Sequence, residues 1–513
     1  MRRPLLPASA FALIAAALIA IQPGAWAVAP GYWDTTDNMK VKGREPMLVP
    51  FNGRLYSIYQ TRTQLTDVGV NLSGRRSDIY FSGYNGTGWT VPFNLTPNTQ
   101  DITGQGIHGP RATEYRGKLY LTAETVEPSL KDDEQSTDYD IVMRVFDGSV
   151  WDPQPALPMH VVSQEHDGNV SDTECRSIVF QDRLYLVWTQ VPANPDGSSM
   201  QFARMVYRTF DGDGWSPISV IASDGKSIFG NPALAVFQDR LYMVFVSNMT
   251  AAANEDILIC SCAGGSWTAP VRVNPAVEGL AAIRINMNPT VESYSGRLWV
   301  AWQSADPIAK SGTDYDLLAS SSPDGNGWTY PVEVNMPNDH GDDITPNMRA
   351  SNGILYIAWA CNDPATTDGG AEADIVVRSY DGAGWGNISM VSPYGDNGTI
   401  SGEHNPGDDN WPMLCEWRSS LFCTWITYDQ VNTGHKGGNP SVIVRQITNR
   451  VDDNGTIPEP GNFTVTPANG VDLRLPLIII GATALGCLIA VAVVPAIILR
   501  RKGEGGGAPK RRD

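Results

Sequence analysis

The sequence predicts an all-β fold, a seven-bladed β-propeller with four-stranded blades, and three regularities predict it. A hairpin pair recurs as Leu55-Tyr56, Leu119-Tyr120, Leu184-Tyr185, Leu241-Tyr242, Leu298-Trp299, Leu355-Tyr356 and Leu421-Phe422, at steps of 57 to 66 residues. Nine positions before the Leu stands Pro46, Pro110, Pro232, Pro289, Pro346 or Pro412, with Cys175 in the remaining repeat. Later in each unit an extended run leads through a turn to a tryptophan: Asp78 to Trp89, Asp140 to Trp151, Met205 to Trp215, Asp256 to Trp267, Asp316 to Trp328 and Asp374 to Trp385. A fixed period of this size built from strand-like units marks a propeller or an array, because one unit cannot bury its apolar faces alone.

Each element has its own signal. The turn of the first hairpin is spelled Asn52-Gly53, Arg116-Gly117, Ser295-Gly296 and Asn352-Gly353, with Gln181-Asp182, Gln238-Asp239 and Arg418-Ser419 in the other repeats. Such dipeptides between alternating apolar runs join two strands. The second turn reads Asp147-Gly148, Asp211-Gly212, Asp324-Gly325, Asp381-Gly382 or Asn85-Gly86, so each unit holds two hairpins and thus one blade. Four residues after the Leu come Trp188, Trp302, Trp359 and Trp425, with Tyr59 and Phe245 as variants, which places large rings between blades. The last unit lacks its tryptophan turn, and Gly31-Tyr32-Trp33 carries one ahead of the first Pro46. The N-terminal strand is therefore expected to complete the blade that runs from Pro412 to Ile447, which leaves no free sheet edge.

The ends carry targeting signals. Residues 1–27 combine Arg2 and Arg3, an apolar run and Ala25-Trp26-Ala27, the pattern of a cleaved signal peptide. The propeller is expected over 28–450, a solvated stalk over 451–475, and a transmembrane helix over 476–499. The basic tail 500–513, with Arg500-Arg501-Lys502, stays cytoplasmic and leaves the propeller extracellular on a single-pass anchor. A lipid-anchor signal is disfavoured because the tail ends charged.

Composition narrows the partners. A formal net charge of -18 argues against nucleic acid, which rewards an excess of Lys and Arg. Six cysteines fall on the exported side, Cys175, Cys260, Cys262, Cys361, Cys415 and Cys423, so disulfides are possible with unreadable connectivity. The pair Cys415 and Cys423 is disfavoured, because the Arg418-Ser419 turn sends them to opposite faces. Sequons at positions such as Asn85, Asn94, Asn248 and Asn387 suit a glycoprotein with surface loops.

The turns Phe210-Asp211-Gly212-Asp213-Gly214-Trp215 and Ser322-Pro323-Asp324-Gly325-Asn326-Gly327-Trp328 resemble the Asp boxes of the sialidase-like propeller superfamily. The resemblance covers most of residues 40–450, and it implies turns remote from any active site; here the Trp follows the second Gly directly, a departure from the usual box. Repeats of this style are also similar to those of seven-bladed sugar-binding lectins. A sialidase would imply a carboxylate-clamping Arg set, a Tyr–Glu nucleophile pair and an Asp acid. On that resemblance the catalytic candidates are Arg44, in Arg44-Glu45-Pro46, with Asp78 and Glu174. Yet Asp140, Asp256, Asp316 and Asp374 repeat the position of Asp78, no Tyr matches the nucleophile motif, and seven blades is one more than sialidases have.

The starts of the inner strands line the mouth of a propeller's channel, where ligands bind. They place Arg44, His108, Arg111, Asp172, Glu174, Arg176, Arg349 and Trp411 as ligand-binding candidates, and Trp411 matches no other repeat. Mixed charges, amides and one ring suit a polyhydroxylated or peptide ligand; the alternative is a channel lining held by water. No metal site is expected from Cys260-x-Cys262, which alternates on a strand without a second pair. Asp132-Asp133-Glu134 and Asp342-Asp343 could bind calcium, but without a twelve-residue loop pattern solvated charge is favoured, and no cofactor is expected. The sequence thus points to a carbohydrate-binding or protein-binding surface propeller, with a sialidase-type exo-glycoside hydrolase and a structural cell-envelope component as alternatives.

Overall fold

The computed structural model describes residues 32–33, 39–64, 75–98, 106–132, 138–163, 170–192, 202–250, 254–275, 285–306, 314–337, 339–364, 366–367, 372–392, 408–428, 440–447 and 450–451. The segments expected to be a signal peptide, a stalk beyond Val451, a transmembrane helix and a cytoplasmic tail lie outside the described residues. Among the described residues no helix is long and apolar enough to cross a membrane.

Seven antiparallel sheets follow one another along the chain. Blade 1 consists of Arg44–Phe51, Arg54–Gln64, Arg75–Tyr84 and Phe93–Asn94. Blades 3 to 6 repeat the four-strand order from inner strands Val170–Phe180, Phe229–Phe237, Asn286–Tyr294 and Asp343–Ser351. Blade 2, with inner strand Ile107–Tyr115, divides its outer position between Trp151–Asp152 and His160–Val161, both paired with Asp140–Phe146. Blade 7 holds Asp409–Trp417, Ser420–Thr427 and Ser441–Ile447.

The outer strand of blade 7 is N-terminal, but it is not the one built on Tyr32-Trp33. Met39–Lys42 pairs with Ser441–Ile447 in the register Met39↔Val444 and Lys42↔Ser441. Tyr32–Trp33 pairs instead with Arg450–Val451. The reason lies in what the tryptophan marks. Trp89, Trp267 and Trp385 each make a single antiparallel bridge at the end of the third strand, and the outer strand begins only after them. In these blades the tryptophan therefore belongs to the turn.

Those turns are held by their aspartate. Asp211 Oδ1 accepts the backbone N–H of Asp213 and Gly214, both at 3.0 Å, and Asp324 Oδ1 accepts those of Asn326 at 2.9 Å and Gly327 at 3.1 Å. These bonds favour the ionised form and hold both carboxyls below the usual range. The glycine next in line, Gly212 or Gly325, adopts a φ of 103° or 77°, open to a residue without Cβ.

The core is a ring of apolar layers between neighbouring blades. Trp188, Trp302, Trp359 and Trp425 are fully buried in it, with Tyr59 and Phe245 at the same position of blades 1 and 4. The indole N–H of Trp188, Trp302 and Trp359 donates to Asp172, Asn286 and Asp343 at the start of the same blade, at 2.5, 2.9 and 2.5 Å. The layer between blades 7 and 1 joins Met39, Leu48, Tyr59, Trp417 and Val444, so the first and last parts of the propeller share one core.

A second buried polar motif recurs at the head of the third strand. Asp78, Asp140, Asp256, Asp316 and Asp374 bond Thr96, Ser163, Asn274, Asn335 and Ser392, each of which accepts the next backbone N–H of the strand. Asp78 is thereby closed inside blade 1, so the structure gives this catalytic candidate a structural role. All six described cysteines are free and buried. Cys415 stands opposite Phe422 and Cys423 opposite Leu414, which keeps the two thiols apart.

Candidate functional site at the channel mouth

Every inner strand breaks its ladder at the same place. The register shifts at Arg44/Met47, His108/Arg111, Thr173/Arg176, Gly230/Ala233, Met287/Thr290, Ile344/Asn347 and Asn410/Met413. One residue in each bulge has positive φ: Glu45 (47°), Gly109 (61°), Glu174 (58°), Asn231 (51°), Asn288 (49°), Thr345 (53°) and Trp411 (58°). Each directly precedes the repeating Pro or Cys175. Bulges re-aim side chains and free backbone groups from pairing. Because neighbouring inner strands form a closed ring, these seven bulges encircle the channel at one level. Trp411 therefore does occupy a repeat position, and it is 56% exposed.

Freed backbone N–H groups are satisfied from the preceding blade. Glu45 Oε2 accepts from Gly109 N at 2.5 Å, Glu124 Oε1 from Cys175 N at 3.3 Å, Glu174 Oε2 from Asn231 N at 2.7 Å, and Gln303 Oε1 from Thr345 N at 2.9 Å. Three carboxylates and one side-chain amide thus lock one blade to the next. Gly109 also lets Glu124 approach, since a Cβ there would lie 3.0 Å from Glu124 Oε1.

Around Glu124 the charges gather. Arg111 donates to its own strand at Pro110 O (2.7 Å) and Arg176 to Cys175 O (3.0 Å), which orients both guanidinium groups beside the bulge. Burial and the nearby Arg176 pull Arg111 down to about 10, against the opposing pull of Glu45 and Glu124. Burial pushes Glu124 up to about 7, although Arg176 and Arg111 favour its ionised form. His108 Nδ1 lies 3.5 Å from Glu124 Oε2, and its ring meets that of Tyr139 edge-on at 5.0 Å. A carboxyl poised near neutrality between two cations can give or take a proton.

Arg44, His108, Arg111, Glu174, Arg176 and Trp411 lie at or beside the bulges of their own strands, and of these His108, Arg111 and Arg176 adjoin Glu124. Arg44 sits with its buried Nε lacking a hydrogen-bond partner and its guanidinium 6.0 Å from the Tyr428 ring. Two candidates stand elsewhere. Asp172 is inside blade 3, holding Trp188 and Gln190. Arg349 lies two residues further past its bulge than Arg111 and Arg176, about 7 Å along the strand, and meets Glu292 at 3.7 Å. Glu45 and Glu124 were not singled out by sequence reasoning. The signal for Glu124 is its place five residues after Leu119, where blades 4, 6 and 7 carry Val246, Ala360 and Ile426.

Comparison with solved structures finds remote likenesses. The polysaccharide lyase Uly1 is 10% identical with a TM-score of 0.48, over 79% of this chain and 90% of that one. Trypanosoma rangeli sialidase in complex with the inhibitor DANA is 11% identical with a TM-score of 0.42, over 80% and 60%. Penicillium chrysogenum α-L-arabinanase complexed with arabinobiose is 13% identical with a TM-score of 0.41, over 68% and 98%. The fold of this chain is a seven-bladed β-propeller. No protein-family model matches the chain, and no curated protein matches it in sequence.

Proposed function

We propose that this chain is a membrane-anchored, extracellular propeller that binds glycans, free or on surface proteins, at the mouth of its central channel. The observation that carries the reading is the side-chain set at the seven bulges. Asn and Gly tolerate left-handed backbone, and they take it in blades 2, 4 and 5. Blades 1, 3, 6 and 7 place Glu45, Glu174, Thr345 and Trp411 there instead, at a cost of about 1–3 kcal/mol for each strained residue. Strain retained for an exposed indole beside fixed donors and acceptors suits a ligand with a flat apolar face and many hydroxyls. Arg111 and Arg176 add donors for an acidic sugar. The anchor is supported by the apolar stretch Leu477 to Leu499 followed by Arg500-Arg501-Lys502.

A second reading, glycoside cleavage, is favoured by Glu124, whose acidity near neutrality is that of a general acid. A glycan array and a panel of fluorogenic sialosides, uronides and arabinosides, run on residues 28–457, test both. Binding without turnover supports the first reading, and turnover abolished by Glu124→Gln supports the second. A folded protein that neither binds nor cleaves any of these sugars overturns both and favours a structural role in the envelope.

A further inference from the structure

We propose that a notch between blades 4 and 5, on the outer rim of the propeller, binds an arginine side chain of a partner protein. What the other blades put in the same place carries the inference. One position of the third strand, paired with the second residue after the repeating Leu, is Arg208 in blade 3, Arg378 in blade 6 and Arg445 in blade 7. Each guanidinium crosses to the outer strand of the preceding blade. Arg208 donates to Val162 O at 2.5 Å, Arg378 to Val334 O at 2.5 Å and Asn335 O at 3.3 Å, and Arg445 to Val391 O at 2.8 Å. Arg208 and Arg378 also donate from Nε to the carbonyl just after the turn tryptophan, Ser216 O at 3.1 Å and Gly386 O at 2.8 Å. Their guanidinium groups lie 5.0 and 5.9 Å from the rings of Trp215 and Trp385. Blade 2 has Arg144 at this position, turned to Pro153 O and Leu157 O of its own blade, and blades 1 and 4 have Ser82 and Cys260.

In blade 5 the position, opposite Val300, is Ser320. The surroundings of an arginine are nevertheless kept. Val273 and Asn274 of blade 4 bond Ile257 just as Val334 and Asn335 of blade 5 bond Leu317, so their carbonyls hold the places that Arg378 reaches one junction further on. Trp328 and Thr329 stand where blade 6 has Trp385 and Gly386, and the shorter Ser320 hydroxyl donates to Thr329 O at 2.7 Å. What remains is a cavity of about 400 Å³ lined by Val273, Asn274, Trp328, Thr329 and Tyr330. Ligand pockets run from roughly 300 to 1,000 Å³, so a single side chain and its flanking backbone fit the space. Arg272 borders the notch as well. Val273 packs into the layer shared with blade 5, so strand alternation turns the Arg272 side chain to the other face, toward Asp256 at 3.2 Å.

An incoming guanidinium meets there what the internal ones meet. Its planar fork of donors matches paired carbonyls, and the face of Trp328 attracts its charge. A lysine ammonium is a compact point charge and matches the fork less well. Around the notch Val271, Tyr330 and Val332 are exposed, the kind of apolar rim that marks a protein contact. A formal net charge of -18 draws a basic partner toward it.

The probes are N-acetylarginine amide, N-acetyllysine amide and free arginine, titrated against the full chain in detergent by saturation-transfer NMR. The blocked arginine is expected to bind about tenfold more tightly than the blocked lysine. Ser320→Arg, which fills the notch from within, is expected to abolish that binding. Tyr330→Ala, at an exposed position, is expected to weaken it about threefold, and it decides should Ser320→Arg fail to fold. Absent binding to the wild type, equal binding of the two blocked probes, or binding that survives in folded Ser320→Arg overturns the proposal. Binding that appears only in Arg284→Ala also overturns it, because the chain's own arginine would then fill the notch. Tighter binding of free arginine than of the blocked amide would assign the notch to the amino acid and overturn the protein partner.

Discussion

The surroundings of Glu124 alter its chemistry, and its burial makes a pH-dependent contribution to stability. A folded-state value of about 7 against an ordinary 4.5 means that the native state binds the proton more tightly than the unfolded chain. The associated stability is fully present below pH 4.5 and is lost as the pH rises to about 7, on the order of 3 kcal/mol. Glu124→Gln removes that slope, so urea midpoints at pH 4.5, 6 and 7.5 should fall with pH in the wild type relative to the variant. A parallel pair of curves would show that the carboxyl is not shifted. The same scale separates the arginines. Arg176→Ala and Trp411→Ala should each weaken sugar binding by about 1–3 kcal/mol, whereas Arg349→Ala, removed from the bulge level and engaged with Glu292, should leave the affinity unchanged by titration calorimetry.

At the level of the element, the strand pairs and their turns are written directly in the residues, and the bulges are not. Leu-Tyr hairpins, Pro nine positions earlier and aspartate-capped turns are periodic because each repeats the same local chemistry, so blade number and strand count were legible. The bulge positions carry Glu45, Gly109, Glu174, Asn231, Asn288, Thr345 and Trp411, which share a backbone conformation and no side-chain property. Only the following Pro or Cys175 marks them. Glu124 was illegible for another reason: it is buried by a neighbouring blade far away in sequence, as its bond to Cys175 N shows. Elements also differ in what their loss should do. Trp188→Ala empties a fully buried site between blades 2 and 3 and should cost about 3–5 kcal/mol in denaturant unfolding. Deleting residues 31–38 spares the outer strand of blade 7, whereas deletion through Lys42 bares the edge of Ser441–Ile447 and should cause aggregation or a large fall in melting temperature. Equal melting of the two truncations would count against Met39–Lys42 as the clasp.

At the scale of the whole propeller, stability among the described residues comes from a ring of apolar layers, and their cysteines form no cross-links. The six thiols of the described residues are enclosed, and burial raises those of Cys175, Cys415 and Cys423 to about 12. Residues 28–457 should therefore melt alike with and without reductant, and a thiol reagent should count none of the six before denaturation and all of them after it. A disulfide, if present, would appear as a missing pair in that count. The ring has one further consequence, and it concerns time. The strand that completes blade 7 is among the first parts of the propeller to be synthesised, and its partner Ser441–Ile447 follows roughly 400 residues later. At about 5–20 residues per second, Met39–Lys42 waits some 20–80 s for the segment it must join. Throughout that interval six blades can assemble while the seventh stays open, so the newborn protein passes through a stage in which an unpaired strand and an unclosed layer face the same solvent. The propeller closes only once Ser441–Ile447 has been made, after its other six blades, and until then its first strand has to be kept from other partners.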